Sequence, residues 1–187
     1  MILGVGVGNE PFSLNNFGEE TDLKKRAEMT DEALAIITGL WSGRPFNYAG
    51  SYYNVKDTVF VPPPVQTPRI PIWVAATLPH NAPMRRAARW DGVLPSGGHA
   101  DANVDPEAYR ELVAYVRAQH MASLPFDFIH YGMTTGNDAT QDADLLAPYI
   151  EAGMTWWLED VRRGIDLDQW HSVESARERI RKGPPRI

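Results

Sequence analysis

The sequence contains no cysteine, which excludes disulfides, thiolate metal sites and cysteine nucleophiles together and makes the cytoplasm the expected compartment. It has no run approaching the roughly 18 to 20 apolar residues of a membrane span. Met1 leads into a glycine-rich strand pattern instead of a basic stretch followed by an apolar one, so neither membrane insertion nor export is indicated. A cationic excess is also lacking. The 187 residues carry 18 Lys plus Arg against 24 Asp plus Glu, a formal charge of −6, and the basic residues are dispersed apart from a basic tail. Nucleic acid and acidic membrane surfaces are therefore not expected partners, and a neutral or modestly anionic small molecule is. His80, His99, His120, His130 and His171 show no ligand spacing, so no zinc or iron site is expected. Neither a Gly-x-Ser-x-Gly elbow nor a P-loop occurs, which removes serine hydrolases and P-loop NTPases.

What is present is the balance of a globular chain: 43% hydrophobic and 22% charged residues, with 15 Gly and 15 Pro scattered between apolar runs and not repeated. A single domain over residues 1–187 is expected. Ile2, Leu3, Val5 and Val7 form a strand pattern interleaved with Gly4, Gly6 and Gly8, and such glycines imply close backbone approach by a neighbour or a ligand. From Asp22 to Trp41 the period becomes helical, with Leu23, Ala27, Leu34, Ile37 and Trp41 on one face and Ser42-Gly43 as the stop. Residues 44–71 read as an excursion of the domain: Tyr48, Tyr52, Tyr53 and Val55 flank Gly50 in a hairpin, and Pro62-Pro63-Pro64 follows.

Further strands are predicted at Ile72–Ala75, Gly92–Leu94, Phe126–Met133 and Thr155–Glu159. Helices are predicted at Ala82–Arg89, from Asp105 to about Met121, at Ala143–Ala152 ending on Gly153, and at Ser172–Lys182 with Ser172 as cap. Five strands alternating with five helices imply an α/β fold with parallel strands, either a doubly wound sheet or a (β/α) barrel. A complete (β/α)₈ TIM barrel takes about 250 residues, so five units make either an open sheet or an incomplete barrel equivalent to strands four to eight. The glycine-rich first strand favours the barrel, because an edge strand rarely needs such close approach.

In either fold, ligands sit at the C-terminal ends of the strands. Those ends carry Gly8, Asn9 and Glu10; Ala76, Thr77 and His80; Ser96, Gly97, Gly98 and His99; Thr134, Thr135 and Gly136; and Glu159 and Asp160. Gly4-x-Gly6-x-Gly8 lies within a strand and is not a dinucleotide fingerprint. The Ala75-Ala76-Thr77 turn leads into a helix whose free N–H groups could hold a phosphate beside the Thr77 hydroxyl; it reads equally as a plain turn with Thr77 as a local cap. Ser96-Gly97-Gly98 could let a ligand approach the backbone. Glu10 and Glu159 could pair as general acid and base, which opens a separate glycoside-hydrolase reading, while Glu159 reads also as a solvated or Arg-paired carboxylate near Arg162 and Arg163. Of Trp156 and Trp157, one must face inward and one outward.

Several stretches in order resemble the luciferase-like monooxygenases, flavin- or deazaflavin-dependent (β/α)₈ barrels related to bacterial luciferase. They are Leu3-Gly4-Val5-Gly6-Val7-Gly8, Phe17-Gly18, Arg26, Leu40-Trp41-Ser42-Gly43, Gly50 with Tyr52-Tyr53, Pro64-Val65-Gln66 through Val74, Ala87-Ala88-Arg89-Trp90-Asp91-Gly92, and Gly153-Met154-Thr155-Trp156-Trp157-Leu158-Glu159. The resemblance implies an oxidoreductase or monooxygenase that binds FMN or coenzyme F420, with Val7, Gly8 and Asn9 beside the ring, the phosphate near Arg26, Ala76 and Thr77, and Gly97 close to the cofactor. Two positions depart from the family pattern: Asn9 stands where some F420-dependent members carry an acid, and Ala75-Ala76 where many carry Gly-Gly. Family barrels place three more β/α units ahead of the glycine-rich strand, so the chemistry carried over is expected to be partial, and a non-catalytic flavin-binding or degenerate member is the alternative. The open flanks of such a sheet lead to an expected homo-oligomer, a dimer, taking a small-molecule substrate.

Overall fold

The computed structural model describes residues 1–8, 14–78, 81–96, 104–121, 125–160 and 172–185. They divide into two compact units, Met1–Ile72 and Trp73–Ile187, each taken by itself below. Asn9, Glu10, His80, Gly97, Gly98, His99, Arg162, Arg163 and His171 lie outside the described residues.

The first unit is built on one long helix. Strand β1 is short, Leu3–Val5, and the Leu3 N–H donates to the Pro71 carbonyl at 2.9 Å. The predicted strand runs on to Val7, but Gly6 to Gly8 leave it, and Gly8 takes a φ of 80°, which a glycine adopts without penalty. The close approach expected along this strand is not made at Gly4, where a Cβ would meet nothing within 4 Å. After a 3₁₀ turn at Leu14–Phe17 comes α1, Leu23–Leu40, capped by Asp22, whose side chain accepts from the Lys25 N–H. Leu34 and Leu40 bury the apolar face. Strands β2 (Phe46–Ala49) and β3 (Asn54–Thr58) form an antiparallel hairpin. Its Phe46 ring lies against Gly39 of α1, where a Cβ would come within 2.0 Å of the ring.

The second unit alternates strand and helix: β4 (Ile72–Thr77, beginning at the unit boundary), α2 (Asn81–Ala87), β5 (Gly92–Ser96), α3 (Pro106–Gln119), β6 (Asp127–Gly132), α4 (Ala139–Ala152), β7 (Trp156–Glu159) and α5 (Ser172–Lys182). Strands β4 to β7 pair in parallel in that order, with Val74 opposite Val93, Gly92 opposite Asp127 and His130 opposite Trp157. Each helix carries the chain back to start the next parallel strand, so neighbours in sequence are neighbours in the sheet. Val74, Ala76, Val93 and Phe128 pack with Tyr109, Leu112, Val113 and Val116 of α3 and Leu146 and Tyr149 of α4 in a core that excludes water almost completely. Trp157 is half-buried against His130, and Trp156, on the other face of β7, is 46% exposed.

Helix α4 starts four residues earlier than the periodicity predicts. Asp138 accepts hydrogen bonds from the Thr140 and Gln141 N–H groups and so nucleates the first turn. Gly153 closes it in the left-handed region at φ 107°. Among the described residues no helix is long and apolar enough to cross a membrane, and no group of three or more His, Asp or Glu side chains is arranged to hold a metal ion.

Candidate functional site

In the first unit, helix α1 presents Arg26, Met29, Thr30 and Ala33 at successive i, i+3, i+4 and i+7 positions, which share one face. That face lines a cleft of about 290 Å³ together with Gly6, Val7 and Gly8, the Glu19-Glu20 pair and Tyr53. Arg26 is 9% exposed. Among the described residues its Nε and Nη1 have no hydrogen-bond acceptor. A guanidinium is always charged, and burying it without an anion costs several kcal/mol on the order of a lost charge-assisted pair. The cleft therefore has an unmet demand for a negative group.

The described acids around the cleft do not meet that demand. Glu20 accepts from the Asp22 N–H at 2.9 Å and from Lys25 Nζ at 3.2 Å. Those contacts, the backbone N–H first, hold its carboxyl below the usual range. Glu19 is exposed. Tyr53, which also lines the cleft, is held by α1 itself: Glu32 accepts hydrogen bonds from the N–H groups of Ser51, Tyr52 and Tyr53 at 2.6, 3.0 and 3.0 Å. Desolvation opposes ionisation of Glu32, but the three N–H groups outweigh it and lower its pKa. Glu28 accepts the Tyr52 hydroxyl at 2.6 Å, an interaction that pushes the phenol up to about 12.

Val7, Gly8 and Arg26 are thus brought together. Asn9 and Glu10 lie outside the described residues, so the expected Glu10–Glu159 pair has no measured separation. Sequence reasoning passed over Met29, Thr30, Ala33 and Tyr53; once Arg26 is fixed as an anchor, the helical spacing of 26, 29, 30 and 33 identifies three of them.

In the second unit Ala76 is fully buried. Thr77 ends β4 with its Oγ1 3.4 Å from Ser96 Oγ, the residue opposite it in the ladder. Glu159, at the end of β7, takes hydrogen bonds from the Thr134 N–H (2.8 Å), the Thr134 hydroxyl (2.9 Å), the Trp157 indole (2.9 Å) and Arg179 Nε (3.1 Å). Arg179 Nη2 donates in turn to the Thr134 hydroxyl and Nη1 to the Gly183 carbonyl, both at 2.6 Å. Glu159 is Arg-paired, and the arginine comes from α5, twenty residues on. A second cleft of about 470 Å³ lies between the 136–139 turn and the end of α5. Its Asp142 accepts from the Thr135 and Gly136 N–H groups and Arg181 pairs with Glu174.

A family model described as luciferase-like monooxygenase matches residues 1–183. An uncharacterised protein of Mycobacterium tuberculosis is 34% identical over 115 residues, covering 62% of this chain and 36% of that protein. An F420-dependent glucose-6-phosphate dehydrogenase of Microbacterium testaceum is 32% identical over 111 residues, covering 59% of this chain and 31% of that enzyme. The matched stretch thus spans about a third of these relatives' length. Among solved structures, an F420-dependent secondary alcohol dehydrogenase superposes with a TM-score of 0.66 at 13% identity, covering 94% of this chain and 69% of that one. The coenzyme F420-dependent tetrahydromethanopterin reductase of Methanopyrus kandleri superposes with a TM-score of 0.56 at 17% identity, covering 97% and 55%. Those likenesses give the fold: α/β, an incomplete barrel of parallel β/α units.

Proposed function

The chain belongs to the luciferase-like monooxygenase family, and from that premise we propose that it serves an oxidoreductase that binds coenzyme F420 or FMN, with the Arg26 cleft receiving an anionic group of the cofactor. The observation that carries this reading is the buried Arg26 guanidinium with two nitrogens lacking an acceptor among the described residues. A phosphate or carboxylate is the partner that such a group requires. Between the two chemistries the family offers, the relatives 32% identical to this chain that are named F420-dependent dehydrogenases support dehydrogenation over oxygenation.

Arg26 would neutralise and orient the anionic group. Gly6 and Gly8, without side chains, would let the cofactor lie against the backbone beside Val7, while Met29 and Ala33 keep water from one side of the cleft. Bound there, F420 or FMN supplies two-electron chemistry as donor or acceptor of a hydride. In the second unit, taken by itself, the Thr77 and Ser96 hydroxyls at the C-terminal ends of β4 and β5 are the polar groups we propose for a ligand contact. Ala76 would act there through its backbone, and Gly97 and Asn9 remain proposals of the family resemblance.

Titration of the protein with F420 and with FMN, followed by cofactor fluorescence, tests the reading. Saturable uptake is expected, weakened about tenfold to a hundredfold in Arg26→Ala, the loss of a charge-assisted hydrogen bond. Absence of uptake of both cofactors overturns it. Uptake with no oxidation or reduction of the cofactor by any substrate leaves the binding role and removes the enzymatic one.

A further inference from the structure

The motif Gly50-x-Tyr52-Tyr53 forms the turn of the hairpin, where the Gly50 N–H donates to the Tyr53 carbonyl at 2.9 Å, a pairing that does not use the N–H groups of Ser51, Tyr52 and Tyr53. Resting on the cofactor reading above, we infer that Tyr53 is a ligand-contacting wall of the Arg26 cleft and that Glu32 is the positioning residue that fixes it. Three consecutive backbone N–H groups, Ser51 to Tyr53, converge on the Glu32 carboxylate, a concave arrangement of donors that binds anions. Here the anion is a side chain of α1, the helix that also carries Arg26, Met29, Thr30 and Ala33. One helix thus supplies lining residues of its own and, by way of Glu32, holds the turn that carries Tyr53, another lining residue.

Gly50 belongs to the same device. Its φ needs no glycine, yet a Cβ there would stand 2.2 Å from Glu32 Oε2 and 2.5 Å from its Cδ, so the residue is small because the carboxylate occupies the space. The Tyr52 hydroxyl, bound to Glu28 one turn earlier on α1, secures the turn at a second point. Tyr53 retains 36% exposure and lines the same cleft as Arg26, whose Nε and Nη1 have no acceptor among the described residues. An aromatic face beside a fixed cation suits a ligand that joins an anionic group to a flat or apolar one.

F420 binding to the full chain is measured for Tyr53→Ala, Tyr53→Phe, Glu32→Ala and Gly50→Ala, with thermal unfolding followed in parallel. Tyr53→Ala is expected to weaken binding about tenfold, the worth of one aromatic contact, and Tyr53→Phe, which keeps the ring, to bind as the unsubstituted protein does. Glu32→Ala and Gly50→Ala reach the same ligand through the same turn by different routes, so failure of one to fold leaves the other. In a Tyr53→Ala background each should add less than about twofold, a non-additivity that general loss of stability does not produce. Binding unchanged in Tyr53→Ala, or full additivity of the double variants, overturns the inference while leaving the Arg26 reading in place. No binding of F420 by the unsubstituted protein overturns both.

Discussion

His130 in β6 is 1% exposed and packs against Tyr149 at 4.1 Å between ring centroids, Tyr109 at 5.2 Å and Trp157 at 5.7 Å. Among the described residues its Nδ1 has no hydrogen-bond partner, and burial alone pushes its pKa down to about 4. Because the unfolded chain takes up this proton near pH 6.5 and the folded chain does not until about pH 4, acid favours unfolding throughout that window, with a cost approaching about 3 kcal/mol at its lower end. Urea unfolding at pH 7 and pH 4.5 should show this loss, and His130→Leu should lessen it. His130 was not legible as a core residue, because nothing local says which face of a strand a helix will cover. Arg26 is singled out in the sequence by family resemblance alone. Its burial and its missing acceptor depend on Val7, Gly8 and Tyr53, which are near it only after folding.

At the scale of elements, local chemistry was most readable where caps are strong. Asp105-Pro106-Glu107 and Gly153 marked α3 and the end of α4 where the structure has them. The apolar periodicity places the start of α4 four residues late because Thr140 is a weak helix former, although Asp138 with Gln141 three residues on is itself a cap signal. The Arg179–Glu159–Thr134 cluster, by contrast, joins α5 to the ends of β6 and β7 across twenty and more residues, and no sequence period announces such a contact. Glu159 and Arg179 side chains are 17% and 12% exposed. Removing one leaves the other largely buried and unpaired, so Glu159→Ala and Arg179→Ala should each destabilise the protein by about 2–3 kcal/mol. The double variant should cost clearly less than their sum, as read by denaturant midpoints. Gly153→Ala should cost about 1 kcal/mol, since φ 107° disfavours an L side chain and a Cβ would press on Arg117.

For the whole molecule, the alternation of strands and helices sufficed to place the chain in the α/β class. The length of a full barrel marked it as part of one, while the division into two compact units was not legible because the excursion at 44–71 interrupts the alternation without announcing a boundary. Strand β7 ends the order of paired strands and carries Trp156 and Leu158 at 46% and 37% exposure on one face. Exposed apolar groups on an edge strand favour association, and we propose the dimer expected from the sequence. Sedimentation at increasing concentration should show a dimer that Trp156→Lys weakens, and a monomer at every concentration would remove the proposal.

The anionic group assigned to Arg26 is tested most directly by a crystal structure of the protein grown with F420. The cofactor's phosphate or carboxylate oxygens should lie about 3 Å from Nε or Nη1 of Arg26, with Tyr53 against the ligand. Cofactor density elsewhere, with the guanidinium still lacking an anionic partner, would contradict the assignment.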